Sequence, residues 1–147
     1  MAIDFGALNQ PRTADTLIDP RDIFNALPTK TSGMNFLRGP QDQVLEKWFA
    51  RRSQRDVVVK LNTGGGKTVV GLLIAKSSLA EGKGPVAYLV PDKYLVDQVI
   101  AEANKLGICV VNDPKAFAYS QGSAILVDTF QKLFNGKSVF GVGGSVR

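Results

Sequence analysis

The feature that most constrains this sequence is a run of three glycines followed by Lys67 and Thr68. The β-branched segment 57–61 leads into the run, and an apolar segment of helical character follows it. Because glycine has no Cβ, such a backbone can wrap closely around a phosphate and turn its N–H groups inward. A helix that begins near the lysine adds the positive end of its dipole. The order of strand, glycines and helix therefore predicts a phosphate-binding loop.

The predicted loop departs from the usual pattern at its first position. That pattern, G-x-x-x-x-G-K-[ST], places a glycine where this sequence has Leu61. The end of the pattern is intact, so we expect Lys67 to reach the β- and γ-phosphates and the Thr68 hydroxyl to hold Mg²⁺. The alternative is a flexible glycine-rich turn with a solvated lysine.

Composition narrows the class of protein. The chain has 147 residues, 44% hydrophobic and 21% charged, as in one globular domain. No apolar run approaches the roughly 20 residues that span a bilayer, and no secretory signal is visible, so we expect a cytoplasmic protein with no membrane partner.

The absence of histidine excludes histidine metal sites and Ser-His or Cys-His catalytic pairs within this chain. The net charge of +5 permits a polyanionic partner. Cys109 lies in an apolar run, and we expect it to be buried.

Strand and helix patterns alternate along the sequence. Apolar runs predict strands at residues 56–61, 85–90, 108–111 and 124–127. Helical spacing and caps predict helices at residues 19–27, 42–52, 68–79 and 93–106, and a short one at 129–133. We expect an extended arm around the first helix and a frayed tail at 136–147. The alternation predicts an α/β fold, a parallel sheet with helices on both faces, with the loop at the carboxyl edge of its first strand.

Four segments occur in an order that is typical of one family. Arg38-Gly39-Pro40-Gln41 comes first, the glycine loop of residues 63–68 second, and the segments 88–95 and 125–133 follow. They resemble the adenine-reading Q motif and motifs I, Ia and Ib of the DEAD/DEAH-box helicases of superfamily 2. Motif I of that family usually begins with alanine, which Leu61 does not match. The resemblance covers about residues 36–140 and implies the first RecA-like P-loop NTPase domain of an enzyme that uses ATP and Mg²⁺ on DNA or RNA.

The resemblance also implies roles for individual residues. Gln41 would read the edge of adenine, because an amide donates and accepts at once. Arg38 would stack on the base or pair with a carboxylate or phosphate, and Phe36 would pack against the ring. The implied nucleotide-binding set is Phe36, Arg38, Gln41, Thr63, Gly64, Gly65, Gly66, Lys67 and Thr68, with Lys67 catalytic and Thr68 on the metal. The implied nucleic-acid set is Pro91, Asp92, Lys93 and Thr129, where helix N-termini can hold phosphates. The alternatives are a polar helix-start residue at Gln41 and plain helix capping at Asp92 and Thr129.

One segment of the family is absent from this sequence. No Asp-Glu-x-Asp or Asp-Glu-x-His follows the motif Ib segment, so the carboxylates that hold Mg²⁺ and position water are not present. We expect an N-terminal extension at residues 1–35 and an incomplete RecA-like domain at residues 36–147. In the family two more strands lie between the loop strand and the motif Ia strand, so segment 57–61 should lack its neighbours and expose apolar surface.

These observations predict the ATP-binding portion of a helicase or translocase. The remainder of the helicase, including the second RecA-like domain, or a partner subunit would complete it, and this chain alone should be inactive in hydrolysis. The chain would then be a fragment or a natural truncation. Two alternatives remain open, a truncated nucleotide- or partner-binding module without turnover and an unrelated P-loop kinase.

Overall fold

Helices and strands alternate in the protein, as the sequence predicts. The computed structural model describes residues 17–28, 30–31 and 33–134. The helices there are α1 (Pro20–Ala26), α2 (Gly39–Ala50), α3 (Lys67–Ala80), α4 (Lys93–Leu106), α5 (Phe117–Ser120) and α6 (Phe130–Phe134). The strands are β1 (Ala87–Val90), β2 (Val110–Val111) and β3 (Ile125–Thr129). The predicted tail at 136–147 and the first part of the predicted arm, residues 1–16, lie outside the described residues.

The three strands form one parallel sheet in the order β1-β3-β2. All five residues of β3 are buried, because a strand lies on each side of it and helix α4 packs against it. Tyr88 of β1 lies opposite Val127 of β3, and Val110 of β2 lies opposite Ile125. Helix α3 contacts β1 and α4. This arrangement confirms the prediction of an α/β fold with an incomplete parallel sheet.

The predicted first strand does not join this sheet. Residues 56–62 have no strand pairing, and Val58 is 95% exposed whereas Leu61 is buried. A β-branched run favours strand backbone, but a strand also needs a neighbour that takes its hydrogen bonds. Among the described residues β1 pairs only with β3, and no strand lies along its other edge, so this segment has no paired neighbour. The prediction of a buried, paired strand is therefore wrong here, and the predicted exposure of apolar surface is confirmed.

Helix α1 belongs to the hydrophobic core. The Asp19 carboxylate accepts a hydrogen bond from the Arg21 N–H at 2.9 Å, and Pro20 occupies the first turn, as the sequence predicts. Ile23 and Phe24 are 0% and 2% exposed. The helix packs on α3 and α2, so this part of the N-terminal extension covers the helix that follows the glycine loop.

Cys109 is exposed, which corrects the prediction that it is buried. Its neighbour Ile108 is 4% exposed. Side chains alternate between the two sides of an extended chain, so an apolar run buries only every second residue when one side faces solvent. The Cys109 carbonyl accepts a hydrogen bond from the Ile125 N–H at 3.1 Å, which places this residue beside the sheet.

Candidate functional site

The glycine loop lies directly before helix α3. Its Gly65 N–H donates to the Asn62 carbonyl at 2.9 Å, which closes a turn. Gly64 and Gly66 have φ angles of +77° and +74°, in the left-handed region that residues other than glycine rarely adopt. Gly66 is the N-cap residue of α3, so the loop turns into the helix at this glycine. The local geometry is that of a glycine loop at the N-terminus of a 14-residue helix.

Two side chains from the start of α2 hold the loop by its carbonyl groups. The Arg38 guanidinium donates to the Gly64 carbonyl at 3.0 Å, and the Gln41 amide donates to the Gly66 carbonyl at 3.3 Å. The Gln41 Oε1 accepts from the Arg38 N–H at 3.0 Å, so Gln41 also caps its own helix. Gln41 is 6% exposed. The structure therefore brings the predicted adenine-reading segment and the predicted phosphate loop into contact.

Most of the predicted nucleotide-binding residues line two adjoining cavities. The first has a volume of about 330 Å³, and its lining includes Phe36, Arg38, Gln41, Gly64 and Gly66. The second, of about 450 Å³, is lined by Arg38, Thr63, Gly64 and Gly65 among others. Arg38 and Gly64 line both, so the cavities meet at the hydrogen bond between these two residues.

The first cavity is also lined by residues that were not predicted to belong to the nucleotide site. Phe24 and Met34 line it from the N-terminal extension, and Glu102 lines it from α4. The sequence predicted the helix α1 itself. It did not predict where the helix packs, because that depends on contacts with distant parts of the chain.

Lys67 and Thr68 are the first two residues of α3. The Lys67 side chain is exposed and Thr68 is partly exposed, whereas Val69 and Val70 behind them are buried. This burial anchors the first turn of the helix in the core and leaves its two polar residues beside the loop. The free N–H groups of a helix N-terminus and an adjacent lysine form a favourable environment for an anion.

The predicted nucleic-acid residues lie at the carboxyl edge of the sheet. Asp92 accepts a hydrogen bond from the Leu95 N–H at 2.9 Å and so caps α4, which confirms that this residue is a helix cap. Capping is compatible with a contact to nucleic acid, which stays a prediction for this residue. Lys93 and Thr129 line a common cavity of about 230 Å³, together with Lys132, which the sequence analysis missed. Pro91 and Asp92 are exposed beside it but do not line it.

A buried carboxylate also lines the cavity of Lys93 and Thr129. Asp128 is 3% exposed, and its Oδ1 accepts from the Thr129 N–H at 2.8 Å and lies 3.1 Å from the Lys132 ammonium. The Thr129 N–H is thereby already satisfied and is not free for a phosphate. Within the described part of the chain, the Asp128 Oδ2 is buried without a hydrogen-bond partner.

The chain matches a protein-family model over most of its length. The family model of the DEAD/DEAH box helicases matches residues 38–141, well over half of the chain. The chain belongs to the DEAD/DEAH box helicase family. No curated protein and no solved structure matches it. The matched range begins at Arg38, one of the two residues whose side chains hold the glycine loop.

Family membership identifies the chain as an ATP-binding helicase module. A DEAD/DEAH box helicase domain uses ATP, typically with Mg²⁺, and binds nucleic acid. Residues 17–28, 30–31 and 33–134 contain no cluster of three or more His, Cys, Asp or Glu side chains that could hold a metal, and no helix among them could span a membrane. One hydroxyl from Thr68 still fits Mg²⁺, because this ion usually takes few protein ligands and completes its shell with phosphates and water.

Proposed function

We propose that the chain binds ATP with Mg²⁺ at its glycine loop and forms the nucleotide-binding portion of an ATP-dependent helicase or translocase. The observation that carries the proposal is the pair of hydrogen bonds from Arg38 and Gln41 to the carbonyls of Gly64 and Gly66. These bonds join the segment that resembles an adenine reader to the segment that resembles a phosphate loop. One nucleotide can then be held at both ends.

The phosphates would lie against the glycine loop and the start of α3. Lys67 would neutralise the charge of the β- and γ-phosphates, and the helix N-terminus would donate free N–H groups. Thr68 would contribute its hydroxyl oxygen to Mg²⁺, which when bound neutralises phosphate charge. Gly64 and Gly66 support this role in two ways. Their positive φ angles shape the turn of the loop, and the absence of a Cβ lets the backbone approach a ligand closely.

The adenine would lie beside Gln41 and Phe36. An uncharged amide offers two N–H donors and an oxygen with two lone pairs, and Gln41 uses only one donor and one lone pair inside the protein. The remaining donor and lone pair match the edge of adenine. Phe36 is 88% exposed at the same cavity, and such an exposed ring is an apolar surface on which a base can stack.

A nucleic-acid strand would pass the carboxyl edge of the sheet at α4. Lys93 stands at the start of this helix and shares a cavity with Lys132 and Thr129. Lys93 and the helix N-terminus favour phosphate groups, whereas Lys132 is already paired with the Asp128 carboxylate. Pro91 and Asp92 would shape the turn that presents this helix end, with Asp92 as its cap.

A calorimetric titration with ATP and Mg²⁺ tests the nucleotide site. Lys67→Ala should weaken binding about tenfold or more, since a charge-assisted contact is worth roughly 1.5–3 kcal/mol. Lys115→Ala removes an equal charge from an exposed residue between β2 and α5, outside the glycine loop and helix α3, and it should change the affinity by less than about twofold. Equal affinities for the wild type and Lys67→Ala would contradict the proposal.

The same titration with GTP tests the adenine assignment. Gln41→Ala should reduce the difference in binding affinity between ATP and GTP, because the variant lacks the amide that rejects guanine. Unchanged discrimination would reduce Gln41 to a residue that caps α2 and supports the loop.

A second candidate is a nucleotide-binding module without turnover of its own. Residues 1–147 contain no Asp-Glu-x-Asp or Asp-Glu-x-His segment, and phosphoryl transfer depends on groups that hold the metal and orient water, so these residues by themselves fit this candidate. A phosphate-release assay on the purified chain with ATP and nucleic acid separates nucleotide binding from ATP hydrolysis. We expect binding without helicase-like turnover, and rapid turnover that Lys67→Ala abolishes would refute this second candidate.

A further inference from the structure

Two exposed aromatic side chains stand at the carboxyl edge of the sheet, beside the proposed path of nucleic acid. Tyr94 is 71% exposed at the second position of α4, and Phe130 is 44% exposed at the first position of α6. Each follows directly in the chain a residue that lines the cavity at this edge, Lys93 and Thr129 respectively. Val90 of β1 is paired with Thr129 of β3, so the two segments leave neighbouring strands at the same edge.

Tyr94 takes no part in the hydrophobic core. The buried residues of α4 recur at helical spacing and form one stripe, Val96, Val99, Ala103 and Leu106. Tyr94 precedes Val96 by two positions, which is about 200° around the helix, so it lies on the side of α4 opposite that stripe. A single exposed aromatic residue is common on a protein surface. Two of them next to a lysine-lined cavity, in a family that binds nucleic acid, favour contact with a ligand.

The cavity itself offers little charge for phosphate groups. Its lining includes two lysines and two aspartates, and the Lys132 ammonium lies 3.1 Å from the Asp128 carboxylate. The Thr129 N–H also donates to Asp128. Lys93 and the N-terminus of α4 are left to attract phosphate, with the Asp97 carboxylate opposing them. A strand held only by its backbone depends on cationic contacts, so this edge needs a second source of affinity.

We propose that Tyr94 and Phe130 stack on unpaired bases of a nucleic-acid strand. The inference rests on the proposed function, in which a strand passes the carboxyl edge of the sheet at α4. Aromatic side chains stack on any base, because every base has a π face. In a duplex these faces are covered by the neighbouring bases, so the two rings favour single-stranded DNA or RNA. Lys93 then contacts the backbone of the strand while the rings contact its bases.

Fluorescence anisotropy with labelled single strands tests the inference. The probes are oligothymidylate and oligouridylate, each compared with an abasic strand of the same sugar and length, which keeps the phosphates and lacks the bases. The chain of 147 residues should bind the strands with bases more tightly. Tyr94→Ala and Phe130→Ala should each weaken that binding about fivefold or more, the lower end of one stacking contact. Neither substitution should change binding to the abasic strands.

Two further variants serve as matched controls. Tyr94→Phe keeps the ring and removes only the hydroxyl, so its affinity should stay within about twofold of the wild type. Phe117→Ala removes a ring that is 77% exposed in α5, which precedes β3 and therefore lies at the amino edge of the sheet. Its affinity should also stay within about twofold, because no stacking contact is lost at the proposed path.

Unchanged binding of Tyr94→Ala and Phe130→Ala to the strands with bases would overturn the inference. An equal loss on strands with and without bases would overturn it as well, since a stacking contact requires a base. If Lys93→Ala weakens binding to both kinds of strand in those cases, the proposed path stands and only the stacking fails. If the wild type binds neither DNA nor RNA strands, the proposed path and the inference fail together.

Discussion

Substitution of Gly66 by alanine should destabilise the protein by an amount that the structure allows us to estimate. The φ of +74° costs an alanine about 1–2 kcal/mol. The new methyl group would lie 2.0 Å from the Gln41 Nε2 atom, so the Gln41 side chain must move. It would then lose its bonds to the Gly66 carbonyl and the Arg38 N–H, at about 1 kcal/mol each. The reduced freedom of the unfolded chain returns about 0.4–1 kcal/mol. We expect a net loss of about 2–3.5 kcal/mol.

Gly64→Ala is the matched control for this prediction. Its φ of +77° imposes a similar strain, but a Cβ at this position has no heavy atom within 4 Å. Its expected cost is therefore only about 1 kcal/mol, the strain less the gain from the unfolded chain. Urea denaturation of both variants and the wild type measures the difference.

Removal of Gln41 should relieve the clash. In the double variant Gln41→Ala/Gly66→Ala the methyl group has no amide to displace, so its cost should fall to that of Gly64→Ala. The two substitutions should thus show a coupling free energy of about 1–2 kcal/mol, as expected for residues in direct contact. Equal losses for the two glycines, or strict additivity of Gly66→Ala and Gln41→Ala, would refute the reasoning.

Two further predictions concern stability. Hydrogen bonds from Lys83 and Arg52 lower the pKa of Glu81 from its ordinary 4.5, so they stabilise the fold above that pH and are lost as the pH falls through the lowered value. Glu81→Gln should therefore cost up to about 1 kcal/mol at pH 7 and less as the pH falls below about 4.5, measured by urea denaturation in a pH series. Val58→Ala should change the free energy of unfolding by less than about 0.5 kcal/mol, whereas Leu61→Ala should cost about 2–5 kcal/mol. A loss above 1 kcal/mol for Val58→Ala would show that this side chain is covered in solution.

The sequence predicted best those elements whose signals are local. The bounds of α4 agree with the predicted 93–106, because its apolar residues recur at helical spacing and both ends are marked. Asp92 caps the start with its side chain, and Gly107 ends the helix at a φ of +73°. The parallel sheet followed from apolar runs that alternate with helices. The glycine loop was recognisable because its residues are consecutive.

Features that depend on distant partners were not predictable in the same way. The segment 57–61 has the composition of a strand, yet whether it pairs depends on neighbours elsewhere in the chain or beyond it. The hydrogen bonds of Arg38 and Gln41 to the glycine loop span 26 and 25 positions of sequence, and no local pattern encodes them. Helix α5 has only four residues, which is too short for helical periodicity to show. Cys109 was misplaced because an apolar run does not reveal which side of the chain faces solvent.

The position of helix α1 determines where this domain can be cut. The family match begins at residue 38, and a protein shortened to that point would lose Ile23, Phe24 and Leu27, all of them buried. Each buried side chain of this size contributes roughly 1.5–3 kcal/mol, so the loss is comparable to the whole stability of a typical domain. The deletion would also remove Phe24 and Met34 from the wall of the first cavity. Expression boundaries for this domain should therefore be set upstream of Asp19, not at the start of the region that the family has in common.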